Sequence, residues 1–118
     1  MQQNTGPIAN LRTHRKRAGL SQRELARLLG YTDEGAVSRH EQSQSLPPLL
    51  IALCYEIIFQ VPVAVLFSGL HGSAQEVVEG RLSELERELG QRSGNEAGAS
   101  LVAQKLLWLY ERRADSEA

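Results

Sequence analysis

The sequence predicts an all-α fold, and three of its features do so. Apolar residues recur at three- and four-residue spacing along most of the chain, no run alternates as a half-buried strand would, and glycine or proline punctuates the helical stretches. At 118 residues, 42% of them hydrophobic, there is material for one compact domain with a short appendage.

Each element follows from local chemistry. Ile8, Leu11 and Ala18 keep helical register with Leu20 just beyond, and Pro7 is placed to open this first helix, where a missing N–H costs nothing. Gly19 ends it. Ser21 and Glu24 then form a capping box, hydroxyl and carboxylate each meeting a free backbone N–H at the start of a second helix. Leu25, Leu28 and Leu29 are expected on one face, and Gly30 is the left-handed stop. Asp33 is the expected N-cap of a third helix reaching about Gln42, with Glu34 at the positive end of its dipole and Val37 turned inward. Pro47 and Pro48 break the chain and open a fourth helix over 48–59, and Pro62 opens a fifth ending near Phe67. Ser68 to Ser73 reads as a turn-rich connector, Gln75 to Leu89 as a further helix, and Gly90 to Gly98 as a polar linker. A last helix over 99–113 carries Leu101, Val102, Leu106, Leu109 and Tyr110 on one side. Two parts are therefore expected, 8–68 and a helical extension over 74–113.

Composition removes several classes. A single cysteine, Cys54, cannot form an intramolecular disulfide, and Met1 to Arg17 has no apolar stretch of signal-peptide length, so a reducing cytoplasm is the expected compartment. Leu46 to Phe67 approaches the length of a membrane span, but Pro47, Pro48, Glu56, Gln60 and Pro62 interrupt it where two short buried helices would break. His14, His40 and His71 lack metal-ligand spacing, and no cofactor is implied. Ser38, His40 and Glu41 are hydrolase side chains, yet neighbours two apart on a helix do not face each other, so catalysis is not expected. Net charge is only -1, but it is unevenly spread. Residues 1–45 carry seven Lys/Arg against four Asp/Glu, and the remainder six against ten, a cationic first half joined to an acidic tail.

Two short helices joined through Gly30 form a helix-turn-helix unit. Leu20-Ser-Gln-Arg-Glu-Leu-Ala-Arg-Leu-Leu-Gly30, then Val37-Ser-Arg-His-Glu-Gln-Ser43, then Val61-Pro-Val-Ala-Val-Leu-Phe67 occur in that order. This order resembles the Cro/cI-like, or XRE, family of helix-turn-helix regulators over about residues 8–67. The resemblance implies a five-helix, lambda-repressor-like domain that binds double-stranded DNA, its third helix in the major groove and its second across the phosphates. Arg39 is then the first expected base contact, because a guanidinium pairs bidentately with guanine O6 and N7; Ser38, Glu34, Gly35 and Ala36 complete the base-reading set. Gln22, Arg23, Gln42, Ser43 and Gln44 are expected at phosphates. Lys16 and Arg17 are open to two readings, phosphate contact or a solvated face. Arg15 and Glu41 match positions that resemble a structural ion pair between first and third helices. One residue more than the commonest family spacing separates Gly30 from Val37, which lengthens the turn.

The fourth helix is more apolar than one packed face requires. Leu50, Ile51, Cys54, Ile57 and Ile58 lie beyond the expected core positions Leu49, Ala52, Leu53 and Phe59, so something must cover them. Leu50, Cys54, Ile57 and Ile58, with Val78, Leu82, Leu85 and Leu89 at 4-3-4 spacing, form the expected self-association set, and a homodimer suits paired half-sites. The C-terminal helices folding back within one chain would cover the same residues. The alternative function is a protein-interaction adaptor, holding a protein partner through the C-terminal helices, or an antitoxin combining both activities.

Overall fold

The structure, a computed structural model, describes residues 9–92 and 98–117. Among these it is all helical: α1 (Leu11–Ala18), α2 (Gln22–Leu29), α3 (Gly35–Glu41), α4 (Leu49–Phe59), α5 (Val63–Leu66), α6 (Ser68–Gln91) and α7 (Ala99–Glu117). The chain divides into two units, with the boundary between residues 73 and 74.

In the first unit, α1 packs on α3 and α4, α2 packs on the same two helices, and α5 packs on α4. The core they enclose includes Leu11, Leu25, Ala26, Leu29, Val37, Ala52, Tyr55, Leu66 and Phe67, all buried. Each fully buried leucine here stabilises the fold by roughly 1.5–3 kcal/mol relative to exposure.

The short helices stop where their sequences tell them to. At the end of α1 the Gly19 N–H reaches the Lys16 carbonyl and the Leu20 N–H the Arg15 carbonyl, and at the end of α2 Gly30 and Tyr31 close on Arg27 and Ala26 in the same way. Both glycines are left-handed, at φ 77° and 94°. Ser43 and Gln60 take the same conformation without being glycine, at φ 59° and 56°. Ser43 closes α3, its N–H on the His40 carbonyl and that of Gln44 on the Arg39 carbonyl.

Several boundaries differ from expectation. The first helix opens at Leu11, because the Asn10 N–H is held by the Leu66 carbonyl at 2.7 Å; Pro7 and Ile8 lie outside the described residues. Ser68 to Ser73 is the start of α6 and not a connector. Its first turn continues from α5 through the His71 N–H on the Phe67 carbonyl at 2.8 Å, and the Ser73 hydroxyl donates to the Gly69 carbonyl. At the other end α6 runs through Gly90 to Gln91, and residues 93–97 of the expected linker lie outside the described residues. α7 continues past Arg113 to Glu117.

The inward faces of α2 and α4 also differ. Leu28 is exposed, while Ala26 takes its place beside Leu25 and Leu29. On α4 the buried residues are Ala52 and Tyr55, with Ile51, Cys54, Ile58 and Phe59 packed against the core; Leu49 and Leu53 face solvent. A helix apolar on nearly every side carries no periodicity to say which side turns in, and the bulk and hydrogen-bonding of Tyr55 decide it.

The second unit contains the remainder of α6 and α7. Leu89 and Leu109 are its buried apolar residues among those described. Arg112 donates to both carboxylate oxygens of Glu79, at 2.7 and 3.3 Å, and Arg113 pairs with Glu86. Hydrogen bonding from Arg112 holds the Glu79 carboxyl below its usual value. No helix among the described residues is long and apolar enough to cross a membrane.

Candidate nucleic-acid interface

The second helix is fixed at its start by the capping box. The Glu24 N–H donates to Ser21 Oγ at 3.0 Å, and the Ser21 N–H donates to Glu24 Oε1 at 2.8 Å. Hydrogen bonding of its carboxyl to Ser21, the backbone N–H first and then the side chain, holds Glu24 below its ordinary value.

From Gly30 the chain turns for four residues and enters α3 at Gly35. The N-cap is Glu34 and not the expected Asp33, which stands one residue ahead and closes the turn, its Oδ1 accepting the Gly35 N–H at 2.8 Å. The helix is thus shorter than the expected 33–42, because the Asp33 and Glu34 backbones form the turn. Gly35 has a steric role here. A Cβ at this position would stand 3.1 Å from Asp33 Oδ1 and 3.3 Å from Arg39 Nη1, so glycine leaves room for the guanidinium to lie back along the helix.

Inward-facing residues hold α3 tightly. Val37 and His40 are buried, and His40 Nδ1 lies 2.9 Å from the Tyr55 hydroxyl of α4. The Tyr31 and His40 ring centroids lie 6.2 Å apart. Burial first, and then the neighbouring Arg39 charge, keep His40 below its usual pKa of 6.5, and burial pushes the Tyr55 hydroxyl up. At the helix end, Glu41 accepts from Arg15 Nε at 2.6 Å, Arg15 Nη2 at 3.2 Å and Gln22 Nε2 at 3.0 Å. Arg15 also donates to the Leu20 carbonyl at 2.8 Å. One carboxylate therefore ties the third helix to the first and to the start of the second, with side chains only 10% and 3% exposed.

The outward face carries Gly35, Ser38, Arg39 and Gln42, which helical spacing puts on one side. Gln42 Nε2 donates to Ser38 Oγ at 3.3 Å. Arg39 is exposed and forms no ion pair with another described residue. Ala36 is half-buried beside this face, and Glu34 stands ahead of the first turn.

Positions expected at phosphates separate into two groups. Lys16, Arg17, Arg23, Gln42 and Gln44 are exposed, and Ser43 is half-buried in its left-handed turn. Arg23 is near Glu34, Nε to Oε2 at 3.7 Å, a loose surface pair of little energetic weight. Gln22 is the exception, half-buried with its amide given to Glu41. Nothing local to Gln22 marks that use, since the acceptor is nineteen residues away.

Of the expected self-association residues, Leu50, Ile57, Val78 and Leu85 are exposed. Cys54 and Ile58 are packed against the core of the first unit, Leu82 is half-buried, and Leu89 is buried within the second. Among the described residues no group of three His, Cys, Asp or Glu could hold a metal ion.

A family model described as a helix-turn-helix domain matches residues 9–54, which spans α1 to α3 and the first half of α4. The chain carries a helix-turn-helix domain there, the module by which DNA-binding regulators present a helix to a duplex. No curated protein and no solved structure matches it.

Proposed function

We propose that this chain is a sequence-specific, double-stranded DNA-binding transcription regulator of the Cro/cI-like type, cytoplasmic, without enzymatic activity, and working as a homodimer on paired half-sites. In this reading α3 enters the major groove. Arg39 pairs with a guanine edge, Ser38, Gly35 and Ala36 approach neighbouring bases, and Glu34 at the leading end accepts from a cytosine amino group. Lys16, Arg17, Arg23, Gln42, Ser43 and Gln44 hold phosphates and set the register. Gln22 would reach a phosphate only by giving up Glu41.

The observation that carries this reading is the division of α3 into two faces. Val37, His40 and Glu41 commit one side to the protein, while Arg39 is left exposed on the other, in no ion pair among the described residues. An unpaired guanidinium on a rigidly seated helix loses little freedom on meeting a base.

Binding of the full chain to random duplex across a salt series tests it. A phosphate grip of four to six contacts loses affinity steeply, with log K falling by roughly 0.9 per contact for each decade of salt. Flat, negligible binding at all salt concentrations would end the reading and favour a protein-interaction adaptor that keeps the fold.

A further inference from the structure

We propose that α4 is the surface through which two copies of this chain pair, antiparallel about a two-fold axis beside Leu53. Leu49, Leu50, Leu53 and Ile57 are 72%, 71%, 41% and 73% exposed, and Leu46, in the loop just before the helix, is 54% exposed. At 100° per residue the four helical positions span about 100°, one continuous face opposite the buried Ala52 and Tyr55. Soluble chains keep such faces small unless they are used.

Charge and spacing say what fits there. Glu56, at the border of this face, is the only charged residue in α4, and its Oε1 is held by the Val63 N–H at 2.7 Å at the start of α5. A partner recognised through ion pairs has nothing to grip, whereas an identical uncharged face is complementary to it. Within this face Leu49, Leu53 and Ile57 read the same from both ends. Leu49 and Ile57 each stand four residues from Leu53, so an antiparallel copy sets Leu49 against the partner's Ile57 and Leu53 against itself, the self-complementarity a two-fold interface requires.

The area is sufficient. The five side chains expose on the order of 500 Å² per copy and 1,000 Å² for the pair, the size at which a specific interface begins. On the DNA-binding reading, on which the consequence but not the pairing rests, the pair would read two half-sites about 34 Å apart, one turn of the duplex.

Sedimentation equilibrium on the full chain at micromolar concentration tests the pairing, with circular dichroism to verify folding. The wild type is expected to be a dimer, and Leu53→Glu, which sets two carboxylates together on the axis, to weaken it about 30-fold or more. A second variant set does not depend on tolerance of a charge. Leu53→Cys in a Cys54→Ser background should crosslink on oxidation, because a residue on the axis meets its own copy, while Leu28→Cys in the same background still pairs but forms no crosslink. A monomeric wild type would overturn the proposal, as would a folded Leu53→Glu that still dimerises, or a dimer broken only by changes at Leu101 and Trp108 of α7. Duplex binding across the salt series, measured on the same proteins, reports on the DNA reading separately: a dimer that ignores duplex loses that reading and keeps this interface.

Discussion

His40 Nδ1 and the Tyr55 hydroxyl meet at 2.9 Å in the buried space between α3 and α4. The bond joins the helix that faces outward with Arg39 to the helix whose far side is the exposed leucine face, so one interior contact positions both candidate surfaces. Both side chains are nearly inaccessible, and neither can exchange its partner for water.

That burial makes stability depend on pH. Because the folded chain holds the His40 pKa below 6.5, the unfolded chain binds this proton more readily. The stabilising contribution is therefore complete above about 6.5 and is lost as pH falls from there toward the lower folded value. Urea midpoints measured between pH 7.5 and 5 should fall for the wild type and fall less for His40→Asn. Equal slopes for the two proteins would remove His40 as the source.

Glu41 is expected to be among the most costly positions in the first unit. Glu41→Ala leaves the Arg15 guanidinium in a nearly buried site without its carboxylate and strands the Gln22 amide, and loss of one partner of such a pair costs about 3–5 kcal/mol. Chemical denaturation measures it directly. A cost below about 1 kcal/mol, the range of an exposed pair, would mean that water screens the cluster.

Gln60 offers the opposite effect. It closes α4 in the left-handed region at φ 56°, where a Cβ costs about 1–2 kcal/mol and glycine has no such penalty. Gln60→Gly should raise stability by about 1 kcal/mol by thermal or urea unfolding, with duplex binding unchanged. Destabilisation would show that the Gln60 side chain contributes more than its backbone strain removes.

Elements with local signals were legible in the sequence. The Ser21–Glu24 box and the stops at Gly19 and Gly30 involve residues within five positions of one another, and they fall where the sequence placed them. Signals that depend on distant partners were not. The late opening of α1 follows from a bond between Asn10 and Leu66, and the inward turn of Tyr55 from its meeting with His40. In α6, Gly69 and Gly72 read as a turn because glycine disfavours helix interiors, yet continuity from Phe67 outweighs roughly 1 kcal/mol per glycine. The candidate interface divides in the same way. The outward place of Arg39 follows from its spacing to Val37, whereas the engagement of Gln22 by Glu41 and of Arg23 near Glu34 needed the folded arrangement.

Selection of duplexes from a random pool by purified wild-type and Arg39→Ala proteins tests the central claim most directly. The wild type should enrich a two-fold-symmetric site, and Arg39→Ala should keep its fold and the rest of that site while losing about 1–3 kcal/mol of discrimination at one G·C pair per half. Failure of the wild type to enrich any site, or identical sites from both proteins, would contradict a base-reading α3.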